Sequence, residues 1–170
     1  MRSTILAVIV VIIAATLSAG TPPNETKSTP AFDKLKSLVG TWQGKDEEGK
    51  PVTISYKIVS AGSSIMETLD MADNKEMMIT MYHLDGSKIM MTHYCSMGNQ
   101  PRMRAEKMSS DGKTINFKFV DGTNLDKAKD SYMNKLVFTF KDADHFSQQW
   151  TMRMAENKEH PAMFEFERAK

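Results

Sequence analysis

The segment Thr92-His93-Tyr94-Cys95 carries the residue types with the widest chemistry in this chain. An imidazole can act as a base, a metal ligand or a hydrogen-bonding anchor, and a neighbouring tyrosine hydroxyl could assist it. A His93/Tyr94 cluster would support an enzyme. The alternative is a packing role, because a lone histidine in a strand is more often a hydrogen-bonded structural residue. We therefore take His93 as a candidate ligand-binding residue and assign no catalytic residue.

Two opposite charges, Arg104 and Glu106, precede the pair Asp111-Gly112, which predicts a hairpin turn. If the pair forms a two-residue loop, both charges lie opposite Phe117 and Phe119, on the face that should point inward. Buried there, they would form an ion pair or contact a ligand. A three-residue turn would instead leave both side chains in solvent as an ordinary surface pair.

A second hairpin signal, Asp85-Gly86, places Tyr82 on the same strand face as His93. If these two residues form the whole loop, Tyr82 pairs with Ile89. The connection from Gly98 to Arg102 could also shape a ligand entrance. The candidate ligand-binding residues are therefore Tyr82, His93, Asn99, Arg102, Arg104 and Glu106.

Sulfur-containing residues are the compositional outlier, with 15 methionines and a single cysteine in 170 residues. Methionines could line an adaptable apolar cavity, or they could fill the core without any ligand. Thioethers also suit Cu(I), and Met152 and Met154 would share a strand face. The methionines are spread over many strands, however, so we expect no metal site and no cofactor. Cys95 cannot form an internal disulfide, and we interpret it as a buried thiol.

Short segments rich in β-branched, aromatic and methionine residues alternate with turn residues along the chain. They predict an all-β fold of about ten strands, with one short helix near Phe32 to Leu38 and a second turn near Leu125 to Lys129. Open sheet edges favour aggregation, so we expect a closed antiparallel up-and-down barrel. The predicted strands are Thr41 to Asp46, Val52 to Ser60, Ser64 to Met71, Met77 to Leu84, Lys88 to Met97, Arg102 to Met108, Thr114 to Val120, Met133 to Lys141, His145 to Ala155 and Ala162 to Arg168.

The first 20 residues have the pattern of a secretory signal peptide: Arg2, an apolar run from Ile5 to Leu17, then small residues. A membrane anchor is the competing interpretation, but this run is shorter than the roughly 20 apolar residues of a spanning helix. We predict a signal peptide at residues 1–20, a flexible linker at 21–31 and one domain at 32–170. The expected location is periplasmic or extracellular, without an integral membrane segment after cleavage.

The formal net charge of +1 gives no reason to expect a nucleic-acid partner. The chain also lacks a phosphate-binding glycine loop, a paired-histidine metal motif and a nucleophile elbow. A small apolar molecule is the partner that we expect.

The motif Val39-Gly40-Thr41-Trp42, after a short amphipathic helix, resembles the Gly-x-Trp signature of lipocalin-like (calycin-type) barrels, including fatty-acid-binding and nitrobindin-like proteins. The ending Phe164-Glu165-Phe166-Glu167-Arg168 also resembles their last strand. The resemblance implies that Trp42 closes one end of the barrel beneath an arginine, which would be Arg168 or Arg153. A cation-π contact of this kind is worth about 1 kcal/mol.

A second stretch, from Thr92 to Cys95 and from Gly98 to Met103, resembles bacterial exported lipocalin-like proteins of unknown function. That resemblance covers nearly all of the mature chain and implies a fold without an activity. Nitrobindin-like proteins would imply a haem-ligating histidine near the carboxyl end. Here His160 stands beside Pro161 in a predicted turn, which argues against haem binding.

Together these observations predict an exported binding protein that holds a small, mostly apolar ligand inside a barrel. Two alternatives remain open from sequence: an enzyme that uses His93 and Tyr94, and a haem- or copper-binding barrel.

Overall fold

The computed structural model describes residues 28–71 and 77–170. Ten antiparallel strands form a closed barrel in which neighbours along the chain are neighbours in space, and β1 closes the sheet by pairing with β10. The strands are β1 (Gly40–Lys45), β2 (Pro51–Val59), β3 (Ser64–Met71), β4 (Met78–Asp85), β5 (Lys88–Tyr94), β6 (Gln100–Ala105), β7 (Thr114–Thr123), β8 (Tyr132–Phe140), β9 (His145–Arg153) and β10 (Glu159–Arg168). Short 3₁₀ turns occupy Ser60–Gly62 and Ala155–Asn157.

The predicted all-β closed barrel with one short helix is confirmed. Alternation of burial along most strands explains it, since β2 buries Val52, Ile54 and Tyr56 and leaves the residues between them exposed or half-buried. Segments in which every second residue is apolar bury that face by forming a sheet. Closing the sheet into a barrel removes its unpaired edges. The result is one continuous core inside the barrel.

Helix α1 (Pro30–Lys36) plugs one end of the barrel, which we call the plugged end. The Thr29 hydroxyl caps the helix by accepting from the Phe32 amide at 3.2 Å, and Pro30 occupies the first turn. Phe32 and Leu35 are both buried in the core. The helix thus begins slightly before the predicted one and includes Pro30 and Ala31.

The Gly40-Thr41-Trp42 segment closes the sheet at the plugged end. The Arg168 guanidinium lies over the Trp42 ring at 4.0 Å, and the Trp42 indole donates to the Leu38 carbonyl at 2.7 Å. Arg168 also donates to the carbonyls of Val39 and Ser37 at 3.1 and 3.2 Å. Gly40 has a φ of +125°, and a side chain there would meet Arg168 at 3.2 Å, so this position favours glycine.

Both Asp-Gly pairs lie in hairpins, as predicted, but the predicted registers are wrong. Asp85 pairs with Lys88, so the loop is Gly86-Ser87 and Tyr82 pairs with Met91 instead of Ile89. In the second hairpin, Ala105 pairs with Phe117, which shifts the strand by one residue from the prediction. Because side chains alternate with a period of two, this single-residue shift exchanges the faces of β6.

His160 does not lie in a turn, contrary to the prediction. It pairs with Met152 near the start of β10 and is exposed. A proline is tolerated at this position because it stands at the beginning of the strand.

The predicted signal peptide and most of the predicted linker lie outside the described residues. Within residues 28–71 and 77–170, no helix has the length and apolar character needed to cross a membrane.

We expect Arg168→Leu to lower the free energy of unfolding by about 1–3 kcal/mol, because the ring contact, the bonds to three backbone carbonyls and the pairing with Asp144 are lost together. Urea unfolding monitored by tryptophan fluorescence measures this change. Arg153→Leu is the control, since Arg153 contacts neither Trp42 nor the helix, and it should change stability by about 0.5 kcal/mol or less. Equal losses in both variants would contradict the closing role of Arg168.

Candidate functional site

A buried carboxylate lies at the centre of the barrel. Glu67, on the inward face of β3, is 1% exposed. Its Oε2 atom accepts hydrogen bonds from the Tyr82 hydroxyl at 2.7 Å and from the Gln148 amide at 2.9 Å. The same Gln148 amide donates to the Tyr56 hydroxyl at 2.8 Å. We call the inward-facing polar side chains here the central polar cluster: Tyr56, Glu67, Thr80, Tyr82, His93, Gln148 and Trp150.

Burial controls the protonation of this cluster. It raises the pKa of Glu67 above its ordinary value of 4.5, and hydrogen bonds from Tyr82, Tyr56, Gln148 and Thr80 offset part of that rise. Burial and the nearby Glu67 carboxylate raise the pKa values of Tyr56 and Tyr82 well above 10.0. Both phenols therefore keep their protons and serve as hydrogen-bond donors or acceptors.

His93 extends the cluster toward the end of the barrel opposite α1, which we call the far end. Its Nδ1 atom lies 3.0 Å from the Thr80 hydroxyl, and its ring contacts Trp150 with a centroid separation of 4.8 Å. Burial lowers the pKa of His93 from 6.5 to about 4, so the imidazole is neutral at physiological pH. Among the described residues, its Nε2 atom has no hydrogen-bond partner.

Two other buried acceptors share this property. Asn99 donates from Nδ2 to the Ser131 carbonyl at 2.9 Å, and Asn134 donates to Glu159 at 3.0 Å. The Oδ1 atom of each asparagine is buried and lacks a partner within the described part of the chain. Asn99 lies in the connection after β5 and Asn134 near the start of β8, so both are at the far end.

The structure brings together only some of the sequence-predicted site residues. Tyr82 and His93 point inward and belong to the central polar cluster, and Asn99 is buried at the far end. These positions follow from the pleat of β4 and β5, whose inward faces meet in the antiparallel pair.

Arg104 and Glu106 do not point into the barrel, contrary to the two-residue-loop prediction. Arg104 pairs with Asp85 at 3.1 Å on the outer surface, and Glu106 pairs with Lys118 at 2.7 Å. The loop between β6 and β7 is longer than two residues, as the Ser109 amide donates to the Thr114 carbonyl at 3.0 Å. Because the turn is longer, the Arg104 and Glu106 side chains lie on the outer face of the barrel, in contact with solvent.

Arg102 also lies on the outer face, where it makes two hydrogen bonds with Asp121 at 2.5 and 2.6 Å. Tyr94 is 49% exposed, on the face of β5 opposite His93. The proposed His93/Tyr94 cluster is therefore not formed, because adjacent residues of a strand point to opposite sides.

The prediction missed Glu67, Thr80, Gln148 and Trp150. A signal for Glu67 was present, since it alternates with Ile65 and Leu69 and must share their inward face. The same signal was present for Gln148, which alternates with Phe146 and Trp150 on β9. Its bonds to Glu67 and Tyr56 could not be read locally, because those partners lie 81 and 92 residues away in the sequence.

Two clefts lie outside the central polar cluster. One, of about 790 Å³, is lined largely by outward-facing side chains of β1, β2, β9 and β10, including Gln43, Thr53 and His145. The other, of about 630 Å³, lies between the start of α1 and the loops near Lys88 and Glu106. Glu106 is the one sequence-predicted site residue that lines either cleft.

We also looked for clustered metal-ligating side chains among the described residues. Across residues 28–71 and 77–170, no group of three or more histidine, cysteine, aspartate or glutamate side chains is placed to hold a metal.

The fold and the cluster define a closed ten-stranded antiparallel barrel with a polar centre. Rv2717c from M. tuberculosis is similar, with a TM-score of 0.62 and 16% sequence identity over 85% of this chain and 100% of that one. A protein of unknown function from the DUF3598 family of Nostoc punctiforme PCC 73102 is similar with a TM-score of 0.52 and 11% identity.

The match to the Nostoc protein covers 89% of this chain but only 53% of the Nostoc protein, so this chain spans about half of that protein's length. At these identities the likeness shows the shared barrel fold and no activity. No protein-family model matches the chain. No curated protein matches it either.

We expect Tyr82→Phe to lower the free energy of unfolding by about 1–3 kcal/mol, because the buried Glu67 carboxylate loses a donor. Urea unfolding at neutral pH measures the loss. Tyr94→Phe removes a hydroxyl that is exposed and should change stability by about 0.5 kcal/mol or less. Indistinguishable midpoints for the two variants would contradict the role assigned to Tyr82.

The lowered pKa of His93 predicts a specific pH dependence. In the unfolded chain the imidazole binds a proton below about pH 6.5, whereas in the folded protein it stays neutral down to about pH 4. The stability of the wild type relative to His93→Gln should therefore be constant above pH 6.5 and fall by about 3 kcal/mol as the pH drops to 4.

Urea unfolding of both proteins between pH 4 and pH 7 tests this dependence. The comparison isolates His93, since Glu67 and the other buried groups are common to both proteins. A difference in stability that does not vary with pH would show that His93 titrates normally.

Proposed function

We propose that this protein is an exported binding protein for a small, mostly apolar molecule, held in the far half of the barrel against His93 and Trp150. The observation that carries the proposal is the pair of unpartnered polar atoms, His93 Nε2 and Asn99 Oδ1, buried at the far end. Because the Thr80 hydroxyl donates to Glu67, it accepts from His93 Nδ1, and this tautomer makes Nε2 an acceptor. A buried polar atom without a partner costs about 1–3 kcal/mol, so two such atoms at one end favour a group that a ligand supplies.

The two halves of the barrel differ in how they are filled. Near α1, large aromatic side chains such as Phe32, Trp42 and Phe146 pack against one another, with Trp42 and Phe146 centroids 4.8 Å apart. Toward the far end, the inward wall includes Leu69, Met78, Cys95 and Trp150, and Met91 and Met103 lie level with Tyr82 at the centre. Methionine side chains remould readily around apolar groups, which suits a ligand site better than a rigid aromatic core does.

The amino-terminal sequence pattern and the closed end of the barrel also support a role as an exported binding protein. The amino-terminal pattern of residues 1–20 is that of a signal peptide, so a periplasmic or extracellular location is part of the proposal. A lipocalin-like relationship is also part of it, carried by the Gly-x-Trp segment and by the Arg168 contact with Trp42. Such barrels commonly enclose a single small ligand.

The test uses N-phenyl-1-naphthylamine, a neutral apolar fluorophore with one N–H donor. We expect its fluorescence to increase on titration with the purified protein and to saturate at one probe per chain. His93→Leu should weaken binding by roughly tenfold, because the acceptor for the probe N–H is lost.

Tyr94→Leu is the matched control, since it alters the neighbouring residue on the outer face and should bind as the wild type does. Folding of each variant is checked by urea unfolding. The proposal fails if the folded wild type does not bind the probe, or if both variants bind with equal affinity.

A further inference from the structure

His93 lies in a patch of the inner wall that is rich in soft metal ligands. On β4, β5 and β6, the pairs Tyr82 with Met91 and Met91 with Met103 form one inward row, and Thr80 with His93 forms the next. Continuing the same register places Met78 opposite Cys95. Residues two apart in extended chain share a face, so Met91 on β5 and Cys95, one residue beyond its end, flank His93.

The two sulfur atoms of Met78 and Cys95 are held near each other by one hydroxyl. Ser96 Oγ donates to Met78 Sδ at 3.8 Å, and it also hydrogen-bonds to the Cys95 thiol. Both residues belong to the buried core and are each 9% exposed. Their sulfur atoms therefore border the same small region of the interior.

His93 supplies the independent sign of a ligand. Its side chain is 2% exposed, and Nε2 has no partner among residues 28–71 and 77–170. The Thr80 hydroxyl engages Nδ1 at 3.0 Å and so fixes the ring orientation. A histidine that ligates a metal through one nitrogen typically has its other nitrogen held by a second-shell group in this way.

We propose that His93 Nε2, Cys95 Sγ and Met78 Sδ form a binding site for one cuprous ion, Cu(I). Thiolate, thioether and imidazole are the ligands that soft Cu(I) prefers. A tetrahedral zinc site would need four nitrogen, thiolate or carboxylate ligands, which this patch lacks. On binding, the Cys95 S–H bond breaks, its proton passes to solvent, and the sulfur–copper bond forms; the copper remains Cu(I) throughout.

This site goes beyond the proposed binding of an apolar molecule, although both involve His93. The two are separable, because the apolar probe is titrated into metal-free protein and its binding requires no sulfur–copper bond. Met78 and Cys95 were not singled out as a pair by the sequence, since they lie on different strands and only the hairpin register brings them together.

The test is an anaerobic titration in which the purified protein competes with bicinchoninate for Cu(I). We expect the wild type to withdraw one equivalent of Cu(I) from the coloured bicinchoninate complex. Loss of a second-shell partner typically costs about 10- to 100-fold in metal affinity, so Met78→Leu and Cys95→Ser, which remove ligands, should each weaken binding at least about tenfold.

Met77→Leu is the matched control for Met78→Leu, because Met77 is the adjacent residue and is 59% exposed. It should bind Cu(I) as the wild type does. X-ray absorption of the copper-loaded wild type should show a mixed shell of nitrogen and sulfur, a result that does not depend on any variant folding. The proposal is overturned if the wild type leaves the copper with bicinchoninate, if Met77→Leu and Met78→Leu weaken binding equally, or if the shell contains only one kind of atom.

Discussion

The buried carboxyl group of Glu67 constrains the interior of this barrel, because its oxygens need hydrogen-bond donors from other strands. An isolated charge in a protein core costs several kcal/mol, and even a neutral carboxyl requires partners for its oxygens. Tyr82 and Gln148 supply donors at 2.7 and 2.9 Å, from strands on different sides of the barrel. Because these partners must converge on one atom, the cluster links strands that are distant in sequence and favours one arrangement of the closed sheet.

Around that centre the two halves of the barrel are built differently. At the plugged end, Arg168 covers the Trp42 ring and bonds to carbonyls in the connection between α1 and β1 and to the Ala143-Asp144 turn. At the far end, three buried polar atoms lack partners among the described residues, and the wall includes the sulfur-containing residues Met78 and Cys95 beside Trp150. The plugged end closes the barrel, and the far end holds the unpartnered polar atoms on which both proposals depend.

Solved barrels with 16% and 11% identity share this architecture, which shows how few residues the fold itself constrains. The Gly-x-Trp segment is among the constrained ones for a physical reason: Gly40 adopts a positive φ beneath Arg168, and Trp42 fills the closed end. The inward residues of the far half carry no such requirement. These side chains can therefore differ between proteins that share the fold, and they can give each protein a specific function.

The sequence by itself determined the all-β class, the number of strands, the short amino-terminal helix and the placement of Tyr82 and His93 on one strand face, because the spacing of apolar residues is a local property that each segment displays alone. It did not determine which face of that hairpin points inward. Only the tertiary structure decided the register of the hairpins, which placed Arg104 and Glu106 outside, and the convergence of Glu67, Gln148 and Tyr82 inside. Register depends on the length of each turn, and a shift of one residue reverses a whole strand face. Contacts across the barrel join residues more than 80 positions apart, and no local pattern encodes them.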